Sequence, residues 1–516
     1  RKKLEYDLWT AAFFWKLEAQ PGAAGILAPT QEMLRRHRAG GTLPPELVRR
    51  VEELAESLNF LHWELRFPKV FVGERPGFDC VLGNPPWERI KLQEEEFFAQ
   101  RDQDIASAPN KAARKKLIET LPQSNPTLAS EFKYAKHAAD AQGKFIRSSN
   151  KFPLTGIGDV NTYSIFAELF RLLVSSFGRA GIIVPVGIAT DDTTKEFFSN
   201  LMEKHALAQL IGFENESFIF PNVHHAFKFC ALTITGSNLA EGETDVAFLC
   251  RNFEHVKQPQ RHFKLTFKDL MVINPNTLTC PVFRTDTDAE LAKKIYRQVP
   301  VINNERTGMN PWGINYIRLV HLSDHVDYLR DFDQLLSRDA KLVGNKFILP
   351  NGSAYLPVYE GRQIFFYNHR YATYAGVNRE KVFEGKAIDL SADEMRNPSV
   401  SIIPRYWVPN EFFDGLMEKY AHNRPWFLAY RDITSNVVER TCIPCVIPFT
   451  PATVSLPTIG VQNWQKVHCL LGNLSSIVFD YVTRTKVGGM HLSFGIFKQL
   501  PVLPPSAFTS ADIDFI

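Results

Sequence analysis

In the middle of the chain, segments with the apolar pattern of strands alternate with segments that have the apolar pattern of helices. Apolar runs rich in β-branched residues predict buried strands at 78–83, 182–185, 208–213 and 227–235. Apolar positions three and four residues apart predict helices at 193–204 and at 163–176, the latter closed by Gly178 and Gly181. Strands that alternate with helices are typical of an α/β fold with a largely parallel sheet. Because residues 213–227 show no helical period, we expect the last two strands to be antiparallel.

The flanking regions have different patterns. The first 60 residues predict helices at 4–15, which we expect to be buried, and at 30–38 and 45–59. After residue 250 the pattern predicts helices at 288–298 and 322–339, and short strands at 346–349, 363–367, 426–430 and 442–449. These changes predict a helical N-terminal segment (1–60), an α/β domain (61–250) with a charged insertion (88–150), a connector (251–299) and a separate mixed α+β domain (300–516).

Composition narrows the class of protein. The 516 residues are 45% hydrophobic with a net charge of +3, so any nucleic-acid surface must be local. Seven cysteines, an odd number, fit a reducing cytoplasm. Cys442-Ile-Pro-Cys445 is a single pair, whereas a structural zinc site needs four ligands, so we predict no metal site. No apolar run of about 18 residues and no signal peptide is visible, which predicts a cytoplasmic protein without membrane contact.

The insertion contains one basic run, Lys111-Ala-Ala-Arg-Lys-Lys116. It fits a solvated helix face best, and a basic arm on the phosphate backbone of a nucleic acid is the alternative.

The predicted strand at 78–83 runs into the tetrapeptide Asn84-Pro85-Pro86-Trp87. Neither proline has an N–H to continue a ladder, and a residue before proline is held extended, so this loop is stiff. In α/β sheets, ligands bind at the carboxyl ends of the strands. The Asn84 side-chain oxygen and the Pro85 carbonyl can accept hydrogen bonds from an exocyclic purine amine. Trp87 can stack on a base that has left its duplex, and its ring can attract a sulfonium methyl donor.

The tetrapeptide resembles the [DNS]-P-P-[YFW] motif of S-adenosylmethionine-dependent amino-methyltransferases. Nearby segments resemble the Eco57I-like adenine methylases of restriction-modification and phage defence: 60–71, 88–91, Asn161-Thr-Tyr163 and 181–185. Later segments resemble the TaqI-like C-terminal specificity domain: 361–362, 368–371, 431–433, 440–441, 486–489, Leu492 and 498–501. The resemblance implies a class I S-adenosylmethionine-dependent, Rossmann-like methyltransferase sheet at 61–250, followed by a target-recognition domain at 300–516.

The resemblance also implies roles for particular residues. Asn84, Pro85, Pro86 and Trp87 would be catalytic, with adenine N6 as the methyl acceptor, and Phe220 would be a second aromatic against the flipped base, with Phe218 as its rival. Candidate DNA contacts in the specificity domain are Arg362, His369, Arg370, Arg431, Arg440 and Lys486.

The cofactor half of such an enzyme is not visible in the sequence. The glycine-rich cofactor loop and the first strands of the family's sheet are expected upstream of Arg1, which itself precedes a helical pattern, so we expect this chain to be a fragment. Gly156-Ile-Gly158 lies on the wrong side of the proline motif. Glu64 and Asp79 are the candidate cofactor contacts within the chain.

Three functions fit these features. The first is adenine-N6 methylation of specific sites in double-stranded DNA, with S-adenosylmethionine as cofactor and with room for other subunits of a restriction or defence system. The second is a DNA-binding or specificity subunit that keeps the fold without the cofactor. The third is methylation of RNA or protein, since enzymes of both kinds use the proline motif, but a specificity domain at 300–516 argues against it.

Overall fold

The computed structural model describes residues 1–16, 28–487 and 489–516. These form two compact units, Arg1–Phe267 and Lys268–Ile516. The predicted connector at 251–299 is therefore divided between the two units. Residues 17–27 of the predicted N-terminal segment, and Gly488 of the Lys486–Gly489 segment, lie outside the described residues.

Helices of the first unit begin with three that the sequence predicted. The helices are α1 (Lys2–Phe14), α2 (Gln31–Arg38), α3 (Pro45–Ser57), α4 (Trp63–Arg66), α5 (Glu94–Ala99), α6 (Gln103–Ala106), α7 (Lys111–Ser124), α8 (Pro126–Ser148), α9 (Thr162–Leu173), α10 (Gly187–Thr190), α11 (Lys195–Glu203) and α12 (Phe253–Val256). α1, α2 and α3 share one small core around Leu8, Leu34 and Val51. Only one face of α1 is buried, since Ala11 lies in that core and Ala12 is exposed.

A mixed sheet forms the centre of the first unit. Its strands are β1 (Phe78–Gly83), β2 (Val174–Pro185), β3 (Leu207–Glu214), β4 (Lys228–Thr235), β5 (Thr244–Cys250) and β6 (Phe263–Leu265). Within the described residues the strand order is β1-β2-β4-β3-β5-β6. β1 is parallel to β2, β4 is antiparallel to both β2 and β3, and β5 is parallel to β3. The α/β class and the antiparallel pairing of β3 with β4 are confirmed, but the sheet is mixed and not largely parallel, since three of its five described pairings are antiparallel.

Two details of this sheet differ from the prediction. β1 is not a buried strand: the Leu82 side chain is 77% exposed, because β1 is an edge strand that pairs with β2 alone among the described strands. The helix predicted to end near Gly178 ends at Leu173, and Gly178 and Gly181 lie within β2. A Cβ atom at Gly178 would lie 2.4 Å from the Phe78 carbonyl oxygen, so this glycine permits the close approach of two strands.

The insertion at 88–150 is helical and has a core of its own. Phe98, Ile105, Leu121, Leu128 and Phe132 from α5 to α8 pack together there. Arg114 of the basic run is buried, where it pairs with Glu95 at 2.7 Å. That arginine stabilises the insertion from inside, and the lysines beside it are exposed.

The second unit combines short strands and helices. Its strands are β7 (Ile314–Ile317), β8 (Lys341–Val343), β9 (Lys346–Ile348), β10 (Ala354–Pro357), β11 (Ala372–Thr373), β12 (Ile388–Asp389), β13 (Trp407–Pro409), β14 (Trp426–Tyr430), β15 (Pro444–Pro448) and β16 (Thr458–Val461). They form two four-stranded sheets, β13-β10-β9-β8 and β15-β14-β16-β7, and the pair β11-β12 in the part of the chain that the structure describes. The predicted strand at 426–430 is confirmed.

Helices of the second unit are mostly short. They are α13 (Phe267–Ile273), which begins at the boundary, α14 (Asp286–Gln298), α15 (Phe332–Leu336), α16 (Arg379–Phe383), α17 (Ala392–Arg396), α18 (Asn410–Met417), α19 (Val467–Leu474), α20 (Ile477–Lys486), α21 (Phe494–Phe497) and α22 (Ser510–Phe515). The long helix predicted at 322–339 is wrong, since only 332–336 is α-helical there. The strand predicted at 363–367 is also wrong. Gln363 belongs to a 3-10 turn, Gly361–Gln363, that the Glu360 and Gln363 side chains cap, and Phe365 forms only an isolated bridge with Asn368.

Cys442 and Cys445 lie in the apolar interior of the second unit. Burial raises the pKa of both thiols, that of Cys445 to about 12, so neither is poised to be a thiolate ligand. Among the described residues no group of three or more His, Cys, Asp or Glu side chains could hold a metal ion. No helix in that part of the chain combines the length and the apolar character that a membrane span requires.

Candidate functional site

The Asn84–Trp87 tetrapeptide, which we call the proline loop, leaves the sheet where β1 ends. β1, β2 and β3 run in the same direction, so their carboxyl ends share one edge with the start of β4. On this edge Asn84 and Pro86 are exposed, Pro85 is buried and Trp87 is half-buried. The Asn84 amide is thus open to a ligand, while Pro85 holds the loop to the protein.

A second segment braces the proline loop. The Thr162 hydroxyl donates to the Pro86 carbonyl oxygen at 2.6 Å and accepts from the Glu88 backbone N–H at 2.9 Å. The Thr162 N–H donates to the Glu88 carbonyl at 2.8 Å, and Ile90 N–H donates to the Val160 carbonyl at 3.0 Å. Since the prolines cannot form a ladder of their own, this start of α9 supplies the hydrogen bonds that fix the loop's exit.

Trp87 packs into an apolar cluster at the same edge, which we call the edge cluster. Its buried members are Ile211, Phe213, Phe229, Ala247 and Cys250, and Trp87, Ile183, Ile219, Phe220, Ala231 and Val256 pack against them. The Trp87 indole nitrogen is buried, and no described residue accepts a hydrogen bond from it. One aromatic of the proline loop and one of the β3–β4 connection therefore meet in a single cluster.

The structure distinguishes the two rival aromatics of that connection. Phe220 is half-buried and lies edge-to-face on Phe229, with ring centroids 4.9 Å apart. Phe218 is 53% exposed and has a left-handed backbone, φ +50°. Of the two, Phe220 shares the edge cluster with Trp87, and Phe218 points away from the packed interior.

The two candidate cofactor contacts lie on α4 and near the start of β1. Asp79 is exposed on β1, near the end opposite to Asn84. Glu64 is exposed on α4, near Tyr6 of the N-terminal helices, whose pKa is raised by burial and by this carboxylate. Gly156 and Gly158 lie in a turn whose start is held by Glu168, which accepts from the Thr155 N–H at 2.9 Å.

Several of the candidate DNA contacts in the second unit have internal partners. Arg370 donates to the carbonyl oxygens of Met395, Asn397 and Val400 at 2.7–2.9 Å. Arg431 donates to the Gly361 carbonyl at 3.0 Å and to the Ile364 carbonyl. Both guanidinium groups tie separate loops of the unit together.

The remaining four candidates range from half-buried to exposed. The half-buried Lys486 ammonium donates to the Ile273 carbonyl and to the Asn274 side chain, and lies over the Tyr296 ring. Arg440 donates to the Ser475 carbonyl and lies 4.4 Å from the Phe366 ring centroid. His369 is half-buried, and burial lowers its pKa. Arg362 is exposed and pairs with an exposed Asp389 at 2.7 Å, so it is the candidate most open to a polyanion.

The sequence analysis did not single out two polar residues at the sheet edge that carries the proline loop. Thr162 was noted only as part of a resembling segment, and nothing in the sequence pairs it with a carbonyl 76 positions earlier. Asn215 directly follows β3, and a polar residue at a strand's carboxyl end was the signal that could have singled it out.

Comparison with family models identifies part of the chain. Residues 30–118, which contain the proline loop, match the model described as Eco57I restriction-modification methylase. The resemblance of this segment to Eco57I-like methylases is thereby confirmed. A search of curated proteins finds no match.

Solved structures show distant likenesses. The type IIL restriction-modification enzyme MmeI in complex with DNA is 10% identical, with 80% of this chain and 45% of MmeI covered at a TM-score of 0.34. The type IIG restriction endonuclease BpuSI is 12% identical, with 85% and 48% covered at 0.29. A nuclease-deletion mutant of the type ISP enzyme LlaGI with a DNA substrate mimic is 8% identical, with 92% and 36% covered at 0.38. The chain spans less than half the length of each of these three proteins.

Proposed function

We propose that this chain is part of a site-specific DNA methyltransferase that modifies the N6 amine of adenine in a restriction-modification or phage-defence system. The observation that carries the proposal is the proline loop at the carboxyl edge of β1, with Trp87 and Phe220 in one cluster, inside an Eco57I-type methylase segment. S-adenosylmethionine is the methyl donor that such a segment implies.

The residues of the edge act on the acceptor base. The exocyclic amine of adenine is a poor nucleophile, because its lone pair is delocalised into the ring. The Asn84 side-chain oxygen and the Pro85 carbonyl each accept a hydrogen bond from the amine. The nitrogen then moves toward tetrahedral geometry, and its lone pair becomes available. The stiff prolines hold both acceptors in place before the base arrives, so little ordering is needed at reaction.

Trp87 and Phe220 supply the apolar surface for the extruded base. Removing a base from the duplex costs a few kcal/mol of stacking, which contacts with aromatic rings offset. The adenine amine is neutral when it attacks the methyl group. If it loses its proton only after methyl transfer, the reaction needs no general base with a matched pKa.

The wider architecture supports the same proposal. A sheet in which an antiparallel strand, β4, lies between the parallel strands β2 and β3 fits the second half of a class I, Rossmann-like methyltransferase sheet. We assign the target-recognition role to the second unit, with double-stranded DNA as the partner.

The test is transfer of a tritiated methyl group from S-adenosylmethionine to duplex DNA by the intact protein. We expect Asn84→Ala to lower incorporation by about a hundredfold to a thousandfold, as loss of one preorganised polar group does elsewhere. The exposed Asn222→Ala is the matched control and should retain activity. Equal incorporation by the wild type and Asn84→Ala would sink the catalytic assignment.

A non-enzymatic DNA-binding subunit is the second candidate, because Glu64 lies on α4 and Asp79 lies near the start of β1, at the end opposite to Asn84. It predicts DNA binding that weakens with salt, and an unfolding temperature that S-adenosylmethionine leaves unchanged. A shift in that temperature on addition of S-adenosylmethionine would exclude it.

A further inference from the structure

The turn between β3 and β4 is built around one buried amide. Asn215 is 0% exposed, whereas its neighbours Glu216, Ser217 and Phe218 are exposed. Its Nδ2 donates to the Phe220 carbonyl at 3.0 Å and to the Val223 carbonyl at 2.8 Å. Its Oδ1 accepts from the Phe220 N–H at 3.0 Å. The amide thus uses both of its donor hydrogens and its oxygen on a single turn.

Other contacts also hold this turn: the Phe218 N–H donates to the Asn215 carbonyl at 2.8 Å, the Phe227 N–H donates to the His224 carbonyl at 3.0 Å, and the Phe220 ring packs on Phe229. Pro221 and Asn222 at its tip are exposed, and so are His224 and His225. The backbone adds a bond from the Val223 N–H to the Phe220 carbonyl at 3.1 Å. Two of the three Asn215 bonds involve the backbone of Phe220 itself, so the position of that ring depends on the amide.

We propose that Asn215 is a positioning residue that holds Phe220 in the edge cluster beside Trp87, where the extruded base would bind. This inference rests on the proposed function, because it assigns the Phe220 ring to the handling of the extruded base. The chemistry requires an asparagine. An aspartate would place a carboxylate beside two carbonyl oxygens and would lose both donors, and a leucine would remove the bonds that Asn215 makes to the Val223 carbonyl and the Phe220 N–H.

The experiment is a double-mutant cycle in the intact protein, with tritiated methyl transfer to plasmid duplex as the readout. Asn215→Asp should lower kcat about tenfold, equivalent to about 1.4 kcal/mol, with the KM for S-adenosylmethionine unchanged. In a Phe220→Ala background the same change should lower kcat less than twofold, because the ring it positions is gone. Asn222→Asp makes the same chemical change at an exposed site of the same turn and should leave kcat unchanged.

The outcomes separate the positioning role from the function beneath it. A tenfold loss in both backgrounds would show that Asn215 supports only the fold, and the proposal would be overturned. A loss shared by Asn222→Asp would overturn it as well. A wild type that transfers no methyl group to duplex DNA would overturn the proposed function together with this inference. If Asn215→Asp does not fold, Asn215→Ser, which keeps one hydroxyl donor, is measured in the same two backgrounds.

Discussion

The proline loop of the first unit and the arginines of the second unit were singled out on the same kind of evidence, and the structure treats them differently. Asn84 is exposed at the end of a strand, with its amide free to meet a ligand. Arg370 and Arg431 direct their guanidinium groups inward, onto backbone carbonyls. The loop offers its functional groups outward, and these two arginines use theirs within the unit.

The difference follows from side-chain length and backbone freedom. Two prolines restrict the backbone, and a short amide can reach only what lies beside it, so the local sequence nearly determines where Asn84 stands. An arginine has a long flexible stem and five donors, and it can satisfy them on any carbonyl that the fold brings near. A basic residue in a resembling segment is therefore weaker evidence of a DNA contact than a rigid motif is of a catalytic site.

The largest effect on stability should come from an internal arginine. Arg370→Ala removes three hydrogen bonds from a charged donor and leaves their carbonyl acceptors without it, so we expect the free energy of unfolding to fall by about 3 kcal/mol. Arg362→Ala, which removes an exposed pair, should cost less than about 1 kcal/mol. Urea unfolding followed by circular dichroism measures both. If the two variants lose equal stability, the contrast between internal and exposed arginines is wrong.

Substitution of the two aromatics of the β3–β4 turn should have different effects on methyl transfer. Phe220→Ala removes a ring from the edge cluster, and we expect methyl transfer to fall by about a hundredfold, since base stacking contributes about 1–3 kcal/mol. Phe218→Ala, at the exposed ring, should reduce it by about threefold or less. Single-turnover incorporation of tritium provides the measurement. A larger loss in Phe218→Ala would transfer the stacking role to that residue.

The brace on the proline loop should have a smaller effect. Thr162→Val keeps the shape of the side chain but removes the hydroxyl that bonds Pro86 and Glu88, so we expect about a tenfold loss of methyl transfer from a less ordered loop. Thr162→Ser retains the hydroxyl and should keep most of the activity. Binding of duplex DNA, followed by fluorescence anisotropy, should be similar in all three proteins. Full activity in Thr162→Val would mean that the prolines hold the loop unaided.

The smallest change should follow from Lys486→Met. Methionine fills the same half-buried space, and loss of a desolvated charge offsets loss of its hydrogen bonds, so stability should change by about 1 kcal/mol or less. Because the ammonium already bonds Ile273 and Asn274, the salt dependence of DNA binding should be unchanged. A salt slope reduced by about one unit would instead make Lys486 a phosphate contact.

Local pattern predicted the elements of the first unit well and those of the second unit less well. The strand at 78–83 and the antiparallel β3–β4 pair follow from apolar runs and from a connection with no helical period. The helix predicted at 322–339 and the strand predicted at 363–367 are wrong, because their apolar residues serve turns and shorter elements. Where elements are short, the pattern is too brief to separate a helical period from scattered core positions.

At the candidate site the sequence by itself determined the stiff corner, its polar and aromatic groups, and its place after a strand. Those depend on proline geometry and on residues that are neighbours along the chain. Only the tertiary structure decided that β1 is an exposed edge, that Phe220 and not Phe218 joins the edge cluster with Trp87, and that Thr162 and Asn215 hold the two loops. Each of these features depends on side-chain hydrogen bonds and packing between segments that are far apart in the sequence. Those contacts exist only in the folded chain.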